Sequence, residues 1–438
     1  MVFAEDFLHY IWKFRLFQHK NLKTEDGEAI EIISPGLHHH HAGPDFQQAK
    51  IRIADTLWAG NVEIHIRSSD WMRHNHSSDP AYNNVVLHVV YKNDQEIRNE
   101  AGFKMPVLVL EDRISDQLLI SYQNLVFAEM VDFPCQKTVH RVDELTVQTW
   151  LSRMLIQRLE EKSARVKAVL TQQKGNWAET FYQLLAANFG FKINALPFEL
   201  LAKSLPLQIL AKHSSNLLQT EALIFGQAGF LTDDFADPYY LTLQKEYQFL
   251  QQKYSLFPLE KHLWKFLRLR PSNFPTVRLA QFAALMHRNN HFLTDLIQTE
   301  KINNIDAPFT GINPSEYWLD HYQFGKISKP NSKTLGRSSV ENILINTVAV
   351  FLFAFGNENQ DETQRGKALQ ILENLPCENN FIISNFISAG IKVKSAANSQ
   401  ALIELKNEFC DKKRCLNCGI GHKILKTNHY AAAGPDLF

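Results

Sequence analysis

Acidic and imidazole side chains that could act together are concentrated between residues 42 and 91. Asp45 stands at the head of one expected strand, and Glu63 and His65 stand two residues apart on the next. Residues two apart on a strand project from the same face, and pairing of the two strands as a hairpin would bring Asp45 to Glu63. Two such carboxylates are typical ligands of Mg²⁺ or Mn²⁺. His65 beside them would orient or deprotonate a water molecule, so the spacing predicts a hydrolytic metal site.

A second group of ionisable residues follows within the same segment. It comprises Asp70, His74, His76, Asp79 and His88. So many Asp and His residues beside apolar strands are unusual, because surface solubility is normally provided by Lys and Glu. His88 is flanked on both sides by valine and leucine, so we expect it inside the sheet. The His-x-His-x-x-Asp spacing of the group is also a metal-ligand spacing in its own right, which leaves open a hydrolase of small substrates.

The cysteines near the C-terminus form another cluster. Cys410, Cys415 and Cys418 have the spacing Cys-x4-Cys-x2-Cys. Thiolates this close favour Zn²⁺ or an iron–sulfur cluster in a reducing compartment. The fourth ligand would be either His422 nearby or Cys135 from the earlier part of the chain. The alternative is that these residues are reduced thiols packed in a small tail.

Arginines at a turn between expected helices are candidates for binding phosphate groups. Arg268, Arg270 and Arg278 bracket two prolines there, although arginines at such places also cap helices or pair with acids. The chain has 438 residues, with 46 Lys and Arg against 46 Asp and Glu. This balance provides no overall field that attracts nucleic acid, but it permits a local basic cleft. Nucleic acid therefore remains an expected partner.

The elements that would position these groups change character near residue 140. Before it, the pattern predicts a helix over 5–18, three strands, a helix or loop over 69–84, and two further strands. After it, apolar residues recur at helical spacing. We therefore predict an α+β protein with an α/β domain at 1–140, a mostly helical domain at 141–409, and a cysteine-containing tail at 410–438.

Neither secretion nor membrane insertion is expected from the sequence. Glu5 and Asp6 stand where a signal peptide would be basic. The longest apolar run, 343–355, is shorter than a bilayer span and is expected to be a buried helix or strand. Five cysteines without a targeting segment indicate the cytoplasm, because thiols stay reduced there.

Pro44-Asp45 followed by Glu63-Ile64-His65 resembles the signature of the PD-(D/E)xK nuclease superfamily. The order of the predicted elements also resembles the core of that superfamily, which implies a restriction-endonuclease-like α/β core at 1–140. The resemblance implies that Asp45 and Glu63 hold the metal ion. It also implies that Glu5 lies where some members carry an additional acid. His65 replaces the lysine of the superfamily, and a histidine supplies no permanent positive charge.

Longer sequence segments along the chain resemble the bacterial family called domain of unknown function 2851. This resemblance implies family membership but no particular activity. They include FLHYIWKF, AGPDFQQAKI, GNVEIHIRSSDW and the cysteine-containing tail. The function predicted from the residues is a metal-dependent nuclease. The alternatives are an inactive nuclease-fold module for binding or assembly, and a metallohydrolase of small substrates.

Overall fold

A computed structural model describes residues 3–39, 42–98, 102–127, 132–289, 292–299 and 302–433. It is a mixed α+β structure in which 55% of the residues are helical. The strands are β1 Ile30–Ser34, β2 Leu37–His38, β3 Phe46–Ile53, β4 Thr56–Arg67, β5 Val85–Lys92, β6 Val107–Val109, β7 His321–Gln323 and β8 Lys326–Ile327. The α-helices are α1 Glu5–Phe14, α2 Asp70–Arg73, α3 Asp116–Val126, α4 Glu144–Gln172, α5 Trp177–Phe189, α6 Ala195–Ser204, α7 Leu207–His213, α8 Leu217–Gln227, α9 Pro238–Tyr254, α10 Pro275–Arg288, α11 Phe292–Gln298, α12 Arg337–Ile343, α13 Ala349–Asn359, α14 Glu362–Asn374, α15 Phe381–Ser388, α16 Ala396–Glu404 and α17 Gly419–Ala433.

The main sheet is mixed, with the strand order β1-β3-β4-β5-β6 and with β2 paired to β3. β1, β3 and β4 are antiparallel, whereas β5 and β6 run parallel to β4. The parallel pairs are possible because the long segment between β4 and β5 crosses over before the chain re-enters the sheet. The predicted strands are therefore confirmed, but a nuclease-like core is not established by this topology.

The chain divides into two compact units. The first contains the residues up to Leu151, Asn380–Lys392 and the residues from Leu402 onward, and the second contains Ser152–Asn379 and Val393–Ala401. The C-terminal cysteine segment thus belongs to the same unit as the sheet. The second unit is helical apart from the short β7-β8 pair.

Apolar burial explains the local structure in each unit. One face of the sheet is formed by Val62 and Ile64 on β4 with Leu87 and Val89 on β5, all fully buried. In the helical unit, Phe282 on α10 packs against the rings of α5 and α6. Burial of such side chains contributes about 1.5–3 kcal/mol each, which fixes the helices and strands in place.

One helix differs from the sequence-based expectation. The spacing of apolar residues predicts a single helix over 197–212, but the structure interrupts it at Leu205, because Pro206 lacks an amide hydrogen and precedes a new helix. The apolar run 343–355 is helical, which agrees with the expectation of a buried helix or strand. It lies within a continuous helical stretch, Arg337–Asn359, that is long and apolar enough to cross a membrane by length and composition. Of its most apolar window, 78% is buried inside the protein.

Candidate metal centre

Strands β4 and β5 place three polar side chains on one face of the sheet. Glu63 and His65 alternate with Val62 and Ile64, and Glu63 is paired with His88 on β5. All three side chains are buried, with relative exposures of 4%, 1% and 0%. His65 Nδ1 and His88 Nε2 share a hydrogen bond of 2.9 Å. The sheet therefore fixes the ring of His65 and leaves its Nε2 pointing away from His88.

Asp45 lies next to Glu63 across the β3-β4 pair, as the hairpin arrangement predicts. Phe46 is paired with Val62 in this antiparallel pair. Asp45, which precedes Phe46, therefore lies opposite Glu63, which follows Val62. Glu63 Oε2 accepts a hydrogen bond from the amide of Asp45 at 3.1 Å. Asp45 Oδ2 accepts one from the amide of Ile64 at 2.9 Å. Each carboxylate therefore uses one oxygen to accept a hydrogen bond from a backbone amide at or next to the other acidic residue.

The segment between β4 and β5 carries two more histidines to this face. The ring of Tyr82 stacks on His76 at 3.8 Å, and the ring of Trp71 meets it edge-on at 5.4 Å. Trp71 and Tyr82 are themselves buried with Val85 in one apolar cluster. These aromatic residues therefore anchor the segment and orient His76, while His74 remains exposed to solvent.

Three imidazole nitrogens converge, and one carboxylate oxygen lies beside two of them. His65, His74 and His76 each offer a ring nitrogen within 4.8 Å of the other two. His74 Nδ1 lies 3.2 Å from His65 Nε2. Glu63 Oε1 lies 3.2 Å from His76 Nε2 and 3.6 Å from His65 Nε2. Ligands placed tetrahedrally at about 2.1 Å from a cation are separated by about 3.4 Å, and the separations of 3.2 and 3.6 Å are close to this value. The three histidines could therefore hold a metal ion, with Glu63 beside two of them.

Burial keeps the central histidines in the form that binds metals. It lowers the pKa of His65 to about 2, with a further contribution from His88 and the other rings. It also lowers the pKa of His88 to about 3. Both rings are therefore neutral at physiological pH, and a neutral imidazole has a lone pair for a cation. Burial, assisted by Asp45, raises the pKa of Glu63, which indicates that its charge lacks full compensation.

Helix α1 contributes two further ionisable groups. His9 Nε2 lies 3.2 Å from Asp45 Oδ2. Burial, together with the charges of Asp45 and Glu63, raises the pKa of Glu5 to about 7 despite the opposing effect of His9. Glu5 is among the site residues predicted from the sequence, whereas His9 is not. Their i, i+4 spacing on an amphipathic helix is the signal that would have indicated a shared face.

The other predicted acids of the segment have local partners. Asp70 is buried, accepts a hydrogen bond from the amide of Arg67 at 3.1 Å and pairs with Arg73 at 3.0 Å. Asp79 is exposed and accepts from the amide of Ala81 at 2.9 Å. Asp79 therefore caps a short turn, and it does not belong to the converging histidine group.

The three arginines proposed for phosphate binding have different surroundings. Arg268 and Arg270 are exposed. Arg278 is 7% exposed, and its guanidinium donates to Gln281 Oε1 at 2.9 Å and to Asn273 Oδ1 at 2.6 Å. Burial lowers its pKa to about 10. The contacts of Arg278 therefore support the alternative given above, in which the arginine stabilises the turn.

The predicted thiol ligands Cys135, Cys410, Cys415 and Cys418 all belong to the first unit. Burial, together with the charges of neighbouring cysteines, raises the pKa of Cys135, Cys410 and Cys415. All five cysteines of the chain lie in described residues, and none forms a disulfide. His422, the other proposed fourth ligand, instead shares a hydrogen bond of 2.8 Å between its Nδ1 and the hydroxyl of Tyr10.

The comparison with protein families gives one match. The model of the family described as protein of unknown function, DUF2851, matches residues 5–381. The chain therefore belongs to this family. No curated protein and no solved structure matches the chain.

Proposed function

We propose that the protein is a metal-dependent hydrolase of phosphodiester bonds, and that its cation is held by Glu63, His65, His74 and His76. The observation that supports this proposal most directly is the convergence of three imidazole nitrogens within 4.8 Å of one another. Glu63 Oε1 completes the group at 3.2 Å from His76. Unlike the predicted pair of carboxylates, this set takes one carboxylate and three imidazoles.

The ligand types favour a transition metal over Mg²⁺. Imidazole suits Zn²⁺ and related ions, whereas Mg²⁺ prefers oxygen ligands and retains water. Mn²⁺ accepts both kinds of ligand and remains a second candidate. The exposure of His74 leaves a direction from which water or substrate reaches the cation. A cation at this place would lower the pKa of a bound water and polarise a phosphoryl oxygen.

Proton transfer in the proposed reaction is assigned to Glu5. Its pKa of about 7 lets it both accept and return a proton near physiological pH. The charges of His9 and Asp45 act on Glu5. The contact of 3.2 Å between His9 Nε2 and Asp45 Oδ2 holds the carboxylate of Asp45 in place. Asp45 is therefore a positioning residue, because one of its oxygens is bound to the amide of Ile64.

Hydrolysis of small substrates is the second candidate function. It is favoured by the same histidine group, since three imidazoles around one cation suit many hydrolytic reactions. The nuclease proposal relies additionally on the acidic pair at Asp45 and Glu63 and on its resemblance to the nuclease signature. An inactive module would retain the fold and bind nucleic acid without cleaving it.

The test begins with metal content and then measures cleavage. Purified full-length protein is assayed with Zn²⁺, Mn²⁺ or Mg²⁺ on single- and double-stranded DNA, on RNA, and on bis(p-nitrophenyl) phosphate. His74→Ala removes an exposed ligand with little effect on the core, and Glu63→Gln neutralises the carboxylate. His262→Ala is the matched control, because His262 is also exposed but lies in the helical unit.

The proposal expects His74→Ala to contain about one metal ion per chain less than wild type, and His262→Ala to retain the wild-type content. It also expects cleavage of DNA or RNA that both Glu63→Gln and His74→Ala abolish. Cleavage of the small phosphodiester alone would favour the second candidate. Metal binding with nucleic-acid binding but no cleavage would favour the inactive module. Equal metal content in His74→Ala and wild type would contradict the proposed site.

A further inference from the structure

Four cysteines from two distant parts of the chain belong to the first unit. The short helix Val139–Arg141, which follows Cys135, packs against α17, which begins directly after Cys418. Cys415 and Cys418 are 7% exposed, and Cys135 and Cys410 are half-buried. The mutual effect of these thiols on their pKa agrees with this placement. Free thiols brought together in this way suit a thiophilic metal in a reducing compartment.

The backbone around the C-terminal cysteines is shaped to turn tightly. The amide of Cys418 donates to the carbonyl of Cys415 at 3.3 Å. A Cβ atom on Gly421 would lie 2.2 Å from that same carbonyl oxygen, and one on Gly419 would lie 2.7 Å from the ring of Trp150. Glycine is therefore required at both positions, and it allows α17 to begin directly after Cys418.

Hydrogen-bond donors lie near the sulfur of Cys418. Burial raises the pKa of this thiol, whereas the amides of Gly421 and Ile420 and the side chain of Trp150 oppose that rise. Donors at this place suit a thiolate better than a neutral thiol, which is only a weak acceptor. Such N–H donors around a cysteine sulfur are what a metal-bound thiolate requires. Without a cation, however, burial and the neighbouring cysteines raise the pKa of Cys410.

Cys135 reaches this group through the packing of its own turn. Its carbonyl accepts hydrogen bonds from the amides of Thr138 and Val139 at 2.9 and 2.8 Å. The short helix that follows, Val139–Arg141, packs against α17. The ring of Phe133 contacts that of Phe386 at 4.2 Å. The turn is thus held on both sides of Cys135, next to the start of α17.

We propose that Cys135, Cys410, Cys415 and Cys418 together bind one thiophilic metal centre that joins the end of the sheet region to the C-terminal segment. The expected form is an iron–sulfur cluster. A single Zn²⁺ needs four sulfurs about 3.8 Å apart, given zinc–sulfur bonds of about 2.3 Å. Among the described residues, no three cysteine sulfurs lie within 4.8 Å of one another. A cluster holds its sulfurs farther apart, because each binds a different iron.

The test is metal analysis of full-length protein purified without oxygen. Iron, acid-labile sulfide and zinc are measured per chain, together with the visible absorption spectrum. Cys135→Ser removes the distant ligand, and Cys410→Ser removes one from the C-terminal segment. Cys377→Ser is the matched control, because Cys377 is half-buried and reduced but lies in the helical unit. Every variant is also made with His74→Ala, so that zinc at the histidine site is not counted.

The proposal expects a brown protein containing iron and sulfide, and at least a tenfold loss of both in Cys135→Ser and Cys410→Ser but not in Cys377→Ser. Zinc with the same dependence on these cysteines would support a shared centre but would overturn its expected form as an iron–sulfur cluster. Wild-type protein without iron or zinc would overturn the proposal. Equal metal content in Cys135→Ser and Cys377→Ser would also overturn the proposal. If both ligand variants fail to fold, removing the metal from wild type must lower its melting temperature reversibly, and an unchanged temperature overturns the proposal.

Discussion

Asp45 and Glu63 hold each other through the backbone. The amide of Asp45 donates to Glu63 Oε2 at 3.1 Å, and the amide that follows Glu63 donates to Asp45 Oδ2 at 2.9 Å. The two carboxylates therefore have different roles. Glu63 keeps its second oxygen for the histidine group, whereas Asp45 uses Oδ2 for both Ile64 and His9.

The first prediction concerns the hydrogen bond to Ile64. Asp45→Ala leaves this amide without its partner and should destabilise the fold by about 1–3 kcal/mol. Asp45→Asn keeps an oxygen acceptor and should cost less. Urea unfolding followed by circular dichroism measures both free energies of unfolding. Equal losses in the two variants would show that the charge, and not the hydrogen bond, matters at this position.

A second prediction addresses the support of His65 by His88. Replacing His88 with Leu removes the hydrogen-bond partner of His65 Nδ1, so the ring loses its fixed orientation. Metal affinity should fall about 10–100-fold, as measured by competition with a coloured chelator. His88→Gln retains an oxygen that accepts from His65 and should recover part of the affinity. An unchanged affinity in His88→Leu would place the cation away from His65.

The third prediction is a pH dependence in the helical unit. Burial raises the pKa of Glu221 above 4.5, although Tyr239 donates to its carboxylate at 2.7 Å. The folded state therefore holds this proton more tightly than the unfolded state. The resulting stability is complete below pH 4.5 and is lost as the pH rises through the folded-state pKa.

Glu221→Gln imitates the protonated side chain and keeps the oxygen that accepts from Tyr239. Its melting temperature should exceed that of wild type at pH 8, and the difference should shrink as the pH approaches 4.5. Scanning calorimetry between pH 4.5 and pH 8 measures the melting temperatures of the variant and of wild type. A difference that stays constant with pH would mean that Glu221 is ionised in the folded and unfolded states alike.

The fourth prediction compares two glycines within helices. A Cβ atom at Gly226 on α8 would lie 2.0 Å from the ring of Tyr247 on α9, so Gly226→Ala should cost about 1–3 kcal/mol. At Gly366 on α14 a Cβ would meet nothing within 4 Å, and Gly366→Ala should stabilise by up to about 1 kcal/mol. Urea unfolding of both variants tests the pair. Similar effects at the two positions would contradict the close packing of α8 on α9.

Much of the sheet was predictable because strand periodicity is a local property. The alternation of Val62, Glu63, Ile64 and His65 places the acid and the histidine on one face, and β4 has that arrangement. The valines around His88 likewise predict its burial in the sheet. Helix boundaries were less accurate wherever a proline interrupted a continuous apolar pattern, as at Pro206.

The sequence by itself determined which side chains carry chemistry and, through local periodicity, the shared face of Glu63 and His65. Only the tertiary structure decided that His74 and His76 fold back onto that face, because Trp71 and Tyr82 bury themselves beneath the segment. It also brought His9 to Asp45, and it packed the short helix after Cys135 against α17, which begins directly after Cys418. These contacts join residues far apart in sequence. They depend on the burial of whole helices and strands, which no local pattern specifies.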